Sequence, residues 1–208
     1  MKHSVFLKII FLSFLILFYQ NLNASDIQSN GSGGGAWNIG TTWDGGVVPS
    51  AGDNVTIKST DVVKIQQNVV NSPNNLTIIG TLTFGTGGSY SLTVSGDLLI
   101  NSGGKLNVEA DETNTNSHSL NLSGYFTNNG TFTSISGDDK INVIFQAVKD
   151  VSLSGTSQTD FQGLTINLTA GKTLDITSVI TFPGAAEFTL TSGIFKLSSA
   201  STITPFSG

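Results

Sequence analysis

Past residue 24 this chain offers chemistry a single histidine, His118, and no cysteine. Nucleophilic sets of the Cys–His or Ser–His–Asp kind need a base held beside the nucleophile. His118 stands in a polar run, Asn114-Thr-Asn-Ser-His118-Ser, and reads as a solvated loop residue ahead of a strand at Leu120. Glu109, Asp111 and Glu112, with Asn114 and Asn116 following, are the densest group of hard oxygen ligands, the kind calcium takes. Their spacing fits neither an EF-hand loop nor a Gly-Gly-x-Gly-x-Asp roll. A charged loop projecting between Val108 and Leu120 is expected instead, with no metal and no cofactor. Asp138 and Asp139 are adjacent, so an extended backbone points them to opposite sides and they cannot by themselves form a glycosidase pair. Asp97, Asp150, Asp160 and Asp175 are single acids, useful to a polysaccharide hydrolase or lyase only if folding gathers them in one groove. Among Trp37, Trp43, Tyr90 and Tyr125, the last is the best exposed platform for a sugar ring, because Gly124 and Phe126 beside it are in phase with the core. The ligand-binding candidates are therefore Tyr125, Glu109, Asp111 and Glu112, and no catalytic residue is assigned.

The elements that carry these residues announce themselves by repetition. Leu76-Thr-Ile78-Ile-Gly80-Thr-Leu82-Thr-Phe84 is followed by Leu92-Thr-Val94-Ser-Gly96-Asp-Leu98-Leu-Ile100. Both alternate apolar and polar residues about a central glycine, which is the period of an extended strand with one buried face. The glycine takes a side chain off the inner face and lets the strand turn. Worn copies recur at Leu120-Asn-Leu122-Ser-Gly124-Tyr-Phe126 and Val151-Ser-Leu153-Ser-Gly155. Constant strands with loops of varying length suit a solenoid. The expected fold is an all-β, right-handed parallel β-helix with irregular coils; a β-sandwich is the alternative.

Residues 1–24 differ from the rest. A basic start, Lys2, His3 and Lys8, precedes an apolar run from Ile9 to Tyr19 and a small residue, Ala24. That is the build of a secretory signal peptide, too short to span a bilayer, so no membrane span is expected after cleavage. Residues 25–36 contain Asn30-Gly-Ser-Gly-Gly-Gly35 and read as a flexible linker, and residues 37–208 as one domain. The processed chain would keep seven lysines and 14 acids, with no arginine, so nucleic acid is excluded as a partner. Its last stretch, with Ile194, Phe195, Leu197, Ile203 and Phe206, has no polar cap. A longer natural chain, truncated here, or end-to-end self-association is expected from that.

Trp43-Asp-Gly-Gly-Val-Val-Pro49-Ser-Ala-Gly52-Asp53-Asn-Val55-Thr-Ile57 sets a turn and then begins the alternation, and Trp43 is large enough to cover the open end of a coil. With Gly80-Thr-Leu82-Thr-Phe84 this segment resembles the opening of secreted, adhesin-like β-helix proteins of the Bacteroidetes type. It is also similar to the eight-glycine extracellular domain of fibrocystin-like and hyaluronan-processing surface proteins. The first resemblance implies export from a Gram-negative cell, by the type IX route in longer relatives with a sorting domain. It carries no catalytic residues. The function expected is a non-catalytic, secreted or cell-surface structural and adhesive module, partnered by surface glycans or other cell-surface proteins. A carbohydrate-binding module is the alternative, with a polysaccharide-degrading enzyme behind it.

Overall fold

The computed structural model describes residues 24–198 and 201–204. Residues 1–23 of the proposed signal peptide and Phe206 lie outside them. In chain order, β1 (Asp26–Gln28) and β2 (Gly34–Ala36) make a first coil, and β3 (Asn54–Ile57) and β4 (Val62–Ile65) a second. The third coil is β5 (Leu76–Ile78), β6 (Thr81–Phe84) and β7 (Ser91–Val94), and the fourth β8 (Leu98–Ile100), β9 (Lys105–Val108) and β10 (Ser117–Leu122). The fifth holds β11 (Phe126–Asn128), β12 (Thr131–Phe132), β13 (Ile135–Ser136) and β14 (Asp139–Phe145). The sixth is β15 (Val151–Ser154), β16 (Thr159–Asp160) and β17 (Gly163–Asn167), and the seventh β18 (Thr173–Ile176), β19 (Val179–Thr181) and β20 (Glu187–Ser192). An eighth begins with β21 (Ile194–Leu197) and β22 (Thr202–Thr204).

Each strand pairs in parallel with its counterpart one coil away, giving three faces. Face one runs β1-β3-β5-β8-β11-β15-β18-β21, face two β2-β4-β6-β9-β12 and then β16-β19-β22, and face three β7-β10-β14-β17-β20. The chain is thus a parallel β-helix, and a sandwich of antiparallel hairpins is set aside. The one antiparallel pair among the named strands is β13 with β14, a hairpin closed by Gly137-Asp138. Inward residues stack in columns: Leu76, Leu98, Phe126, Leu153 and Ile176 are in register on face one. Leu92, Leu120, Val143 and Leu164 do the same on face three. All of these are buried. Alternation along each strand and repetition between strands thus build one continuous core.

The two copies of the nine-residue phrase are not equivalent positions of successive coils. The first spans the corner from face one to face two, the second the corner from face three to face one. What they share is the corner glycine, and its reason differs from the expected backbone freedom. Gly80, Gly96, Gly104, Gly124 and Gly130 all have ordinary φ. A Cβ on any of them would come closer than 3.0 Å to backbone oxygen of the preceding coil or corner: Lys58 and Asp61 at Gly80, Ile78 at Gly104, Gly96 at Gly124. Glycine sits there because successive corners nest too closely for any side chain.

Residues 25–36 are not a flexible linker. They form β1, β2 and the turn between them, paired with β3 and β4. The cause lies 28–30 residues downstream. Asp61, 1% exposed, accepts the Gly31 amide on Oδ2 (2.7 Å) and the Gly33 amide on Oδ1 (2.9 Å). Burial works against its charge, but hydrogen bonds from Ser29, Gly33, Gly31 and Thr60 prevail and hold its pKa below the ordinary value. At this end of the coil Trp43 and Trp37 meet edge to face at 5.0 Å, both buried, with Trp43 Nε1 donating to the Trp37 carbonyl at 2.8 Å. Towards the last described coil Phe188, Leu190, Ile194 and Leu197 are 40–50% exposed.

Candidate functional site

His118 is not in a solvated loop. It lies in β10 and is fully buried, its ring centroid 5.0 Å from Phe84 and 5.5 Å from Tyr90. Nδ1 accepts the Tyr90 amide at 3.1 Å, which makes the neutral ring the Nε2–H tautomer, and Nε2 has no hydrogen-bond partner. Burial lowers its pKa and the Asp139 carboxylate offsets this in part. A buried neutral acceptor stacked between Phe84 and Tyr90 is a packing element.

The acidic loop between β9 and β10 is built from within. Asp139, fully buried at the start of β14, accepts the Asp111 and Asn116 amides on its two oxygens. Asp111 in turn accepts the side chain and amide of Thr113, the Gly87 amide (3.0 Å) and Asn114 Nδ2, which hold its carboxyl well below the usual range. Glu109 pairs with Lys64 at 2.7 Å across face two, and Glu112 is exposed. Among the described residues no group of three or more His, Asp or Glu is placed to hold a metal ion.

The single acids do not converge. Asp138 is at the hairpin tip, Asp160 on β16 and Asp175 on β18, where it pairs with Lys196 at 2.8 Å. Asp97 and Asp150 sit at the corner before face one, two coils apart. Asp97 accepts the Tyr125 amide (2.9 Å) and Asp150 the Thr173 amide (2.8 Å), each in the next coil. Asp53, Asp61, Asp97, Asp111, Asp139 and Asp150 all therefore accept backbone amides lying 23 to 30 residues away, some of them an amide across a local turn as well. Carboxylates so engaged fasten coil to coil.

Of the aromatics, Trp37 and Trp43 are buried in the end cap and Tyr90 is half-buried, its hydroxyl donating to the Thr86 carbonyl at 3.0 Å. Tyr125 is 44% exposed as its phase implies, and Lys149 Nζ stands 5.0 Å from its ring centroid. A cation over that face competes with a sugar for it.

Tyr125 and the acidic loop flank opposite ends of β10, with face three between them. That outer face carries a feature the sequence did not single out. Ser119, Asn142, Gly163 and Glu187 are in register across β10, β14, β17 and β20, and Ile144, Thr165 and Thr189 form the next outward row. Gly163 leaves a gap in its row into which the Asn142 side chain leans, and Asn142 Nδ2 donates to Ser117 Oγ at 2.7 Å. Lys140 and Glu187 stand 3.8 Å apart at the rim. The result is a shallow groove of about 310 Å³ lined chiefly by hydroxyl and amide groups.

The G8 domain family matches residues 42–181. The chain belongs to the G8 domain family. The matched span takes in the corner glycines from Gly80 to Gly155 and the stacked core from β3 to β19. No curated protein and no solved structure matches the chain significantly. In this G8 domain the motif residues Gly52 and Asp53 fall just before β3, where Asp53 accepts the Ser25 and Ser50 amides.

Proposed function

We propose that this G8 domain is a non-catalytic structural and adhesive module, exported from a Gram-negative cell of the Bacteroidetes type and displayed at or released from its surface. The observation that carries the reading is the use of the acids. Six aspartates that an enzyme could have recruited are committed to backbone amides. A stack of coils joined in this way is a stiff rod whose outer faces can vary without disturbing the core. Residues 1–24 support export through their signal-peptide pattern. The exposed apolar side chains of Phe188, Leu190, Ile194 and Leu197 favour packing against a further β-coil, whether of the same chain or of another copy.

Adhesion needs a contact surface, and the groove on face three favours a glycan. Its hydroxyls and amides donate and accept without net charge, which suits the hydroxyls of a neutral polysaccharide better than a polyanion. The test is to pass xylan, laminarin and polygalacturonate over the immobilised chain 25–208, reading both retention and released reducing ends. Retention of a neutral polymer without new reducing ends is expected. Asn142→Ala together with Thr165→Ala should weaken it about tenfold, roughly the loss of two hydrogen bonds. Tyr125→Ala measures the aromatic's share independently. New reducing ends would make the domain an enzyme, and no retention of any polymer would remove the glycan reading.

A further inference from the structure

The backbone nitrogen of Ser25 donates to Asp53 Oδ1 at 2.9 Å, while Asp53 Oδ2 accepts the Ser50 amide at 2.7 Å. Asp53 is only 7% exposed, and none of the ion pairs among the described residues involves it. A carboxylate withdrawn from water is costly unless a charge answers it, and here two neutral amides do the answering. Ser25 is otherwise fixed: its carbonyl accepts the Asn54 amide at 2.8 Å and β1 follows at once, paired with β3. Ala24 and Ser25 are both exposed, and Ala24 ends the signal-peptide pattern.

We propose that the Ala24–Ser25 bond is a processing site whose product is seated in advance: the Ser25 α-ammonium forms a salt bridge with Asp53 and locks the first coil onto the second. Hydrolysis by a leader peptidase consumes one water. The Ala24 carbonyl takes the hydroxyl and departs with the leader as a carboxylate, and the Ser25 nitrogen takes up protons to become an ammonium. That nitrogen already lies at hydrogen-bond distance from Asp53, so a neutral contact becomes a charge-assisted one without rearrangement. The inference rests on the export reading above.

An α-amino group ordinarily titrates at about 7.7–8.0, and a carboxylate partner raises that value in the folded state. The added stability is therefore complete below the unfolded value and is lost as pH rises through the folded one. Three chains ending at Gly208 test this: one starting with a free Ser25 amine, one with Ser25 acetylated, and one with a glycine placed before it. Each is compared with its Asp53→Asn counterpart. At pH 6.5 the free-amine chain should melt about 4 °C above the acetylated one, an advantage gone by about pH 10.5 and absent in Asp53→Asn. The glycine-extended chain should resemble the acetylated one. Equal melting at pH 6.5, or an advantage that survives Asp53→Asn, would overturn the pairing. Should Asp53→Asn not fold, acylation rates against pH on the native chain still decide: an α-amino pKa of ordinary value sinks the proposal, and one raised by a unit or more supports it. Mass measurement of the full chain after expression in a Gram-negative host tests the processing half. A mature start at Ser25 supports it, and any other start overturns it while leaving the polysaccharide assay untouched.

Discussion

Gly124→Ala is expected to destabilise the protein by about 3 kcal/mol, lowering the melting temperature by roughly 6–12 °C. No left-handed backbone is involved, since Gly124 has ordinary φ. The new Cβ would lie closer than 3.0 Å to both the backbone carbonyl of Gly96 and the side chain of Asp97 in the preceding coil. Backbone on one side and a carboxylate fastened to the Tyr125 amide on the other leave nothing that moves cheaply. Gly103→Ala is the matched comparison. Its φ is 85°, but a Cβ there meets nothing within 4 Å. Strain alone should cost about 1–2 kcal/mol. Thermal or urea unfolding of the two variants separates nesting from conformational freedom as the reason for the corner glycines, and a Gly103 variant at least as damaged as Gly124→Ala would reverse that assignment.

Phe126→Ala should cost about 3–5 kcal/mol, the range for truncating a buried aromatic. Phe126 is fully buried and stands between Leu98 and Leu153 in the inward column of face one. Its ring meets Phe132 edge to face at 5.7 Å, and that ring begins a run through Phe161, Phe182, Phe188 and Phe195 with centroids 5.2–6.1 Å apart. The core cannot close around the space left by one ring without moving its neighbours in adjacent coils. Tyr125→Ala, one residue earlier and outward, should change stability by no more than about 0.5 kcal/mol. Equal losses at the two positions, read from urea unfolding, would mean that the inside–outside phase is misassigned.

That phase was the part of the fold most legible in the sequence. Alternation at Leu76–Phe84 and Leu92–Ile100 marked both the strands and the corners between them. Equivalence between coils was not legible, because two corners of one coil use the same glycine-centred phrase. The order of residues 25–36 was hidden for a different reason: its anchor is Asp61, a remote carboxylate that no local composition reveals. His118 did leave a signal. It stands two residues before Leu120 and four before Leu122, in phase with both, and that inward phase outweighs the polar residues around it. The acidic residues 109, 111 and 112 formed a loop as expected, but its closure by Asp139 depends on a hairpin that only the fold brings underneath. The groove on face three could not be read at all. Ser119, Asn142 and Gly163 are 21–23 residues apart along the chain and become neighbours only through coil register.

Aspartates fasten one coil to the next through backbone amides, and amide hydrogen exchange by NMR on the chain 25–208 reads this residue by residue. The informative amides are Gly31 and Gly33 on Asp61, Asp111 and Asn116 on Asp139, Tyr125 on Asp97 and Thr173 on Asp150. At neutral pH all six should exchange at least about a hundredfold more slowly than unstructured amides, as expected of groups held by the folded core. Exchange at unstructured rates, with the neighbouring strand amides still protected, would leave the aspartates free and contradict their role as fasteners between coils.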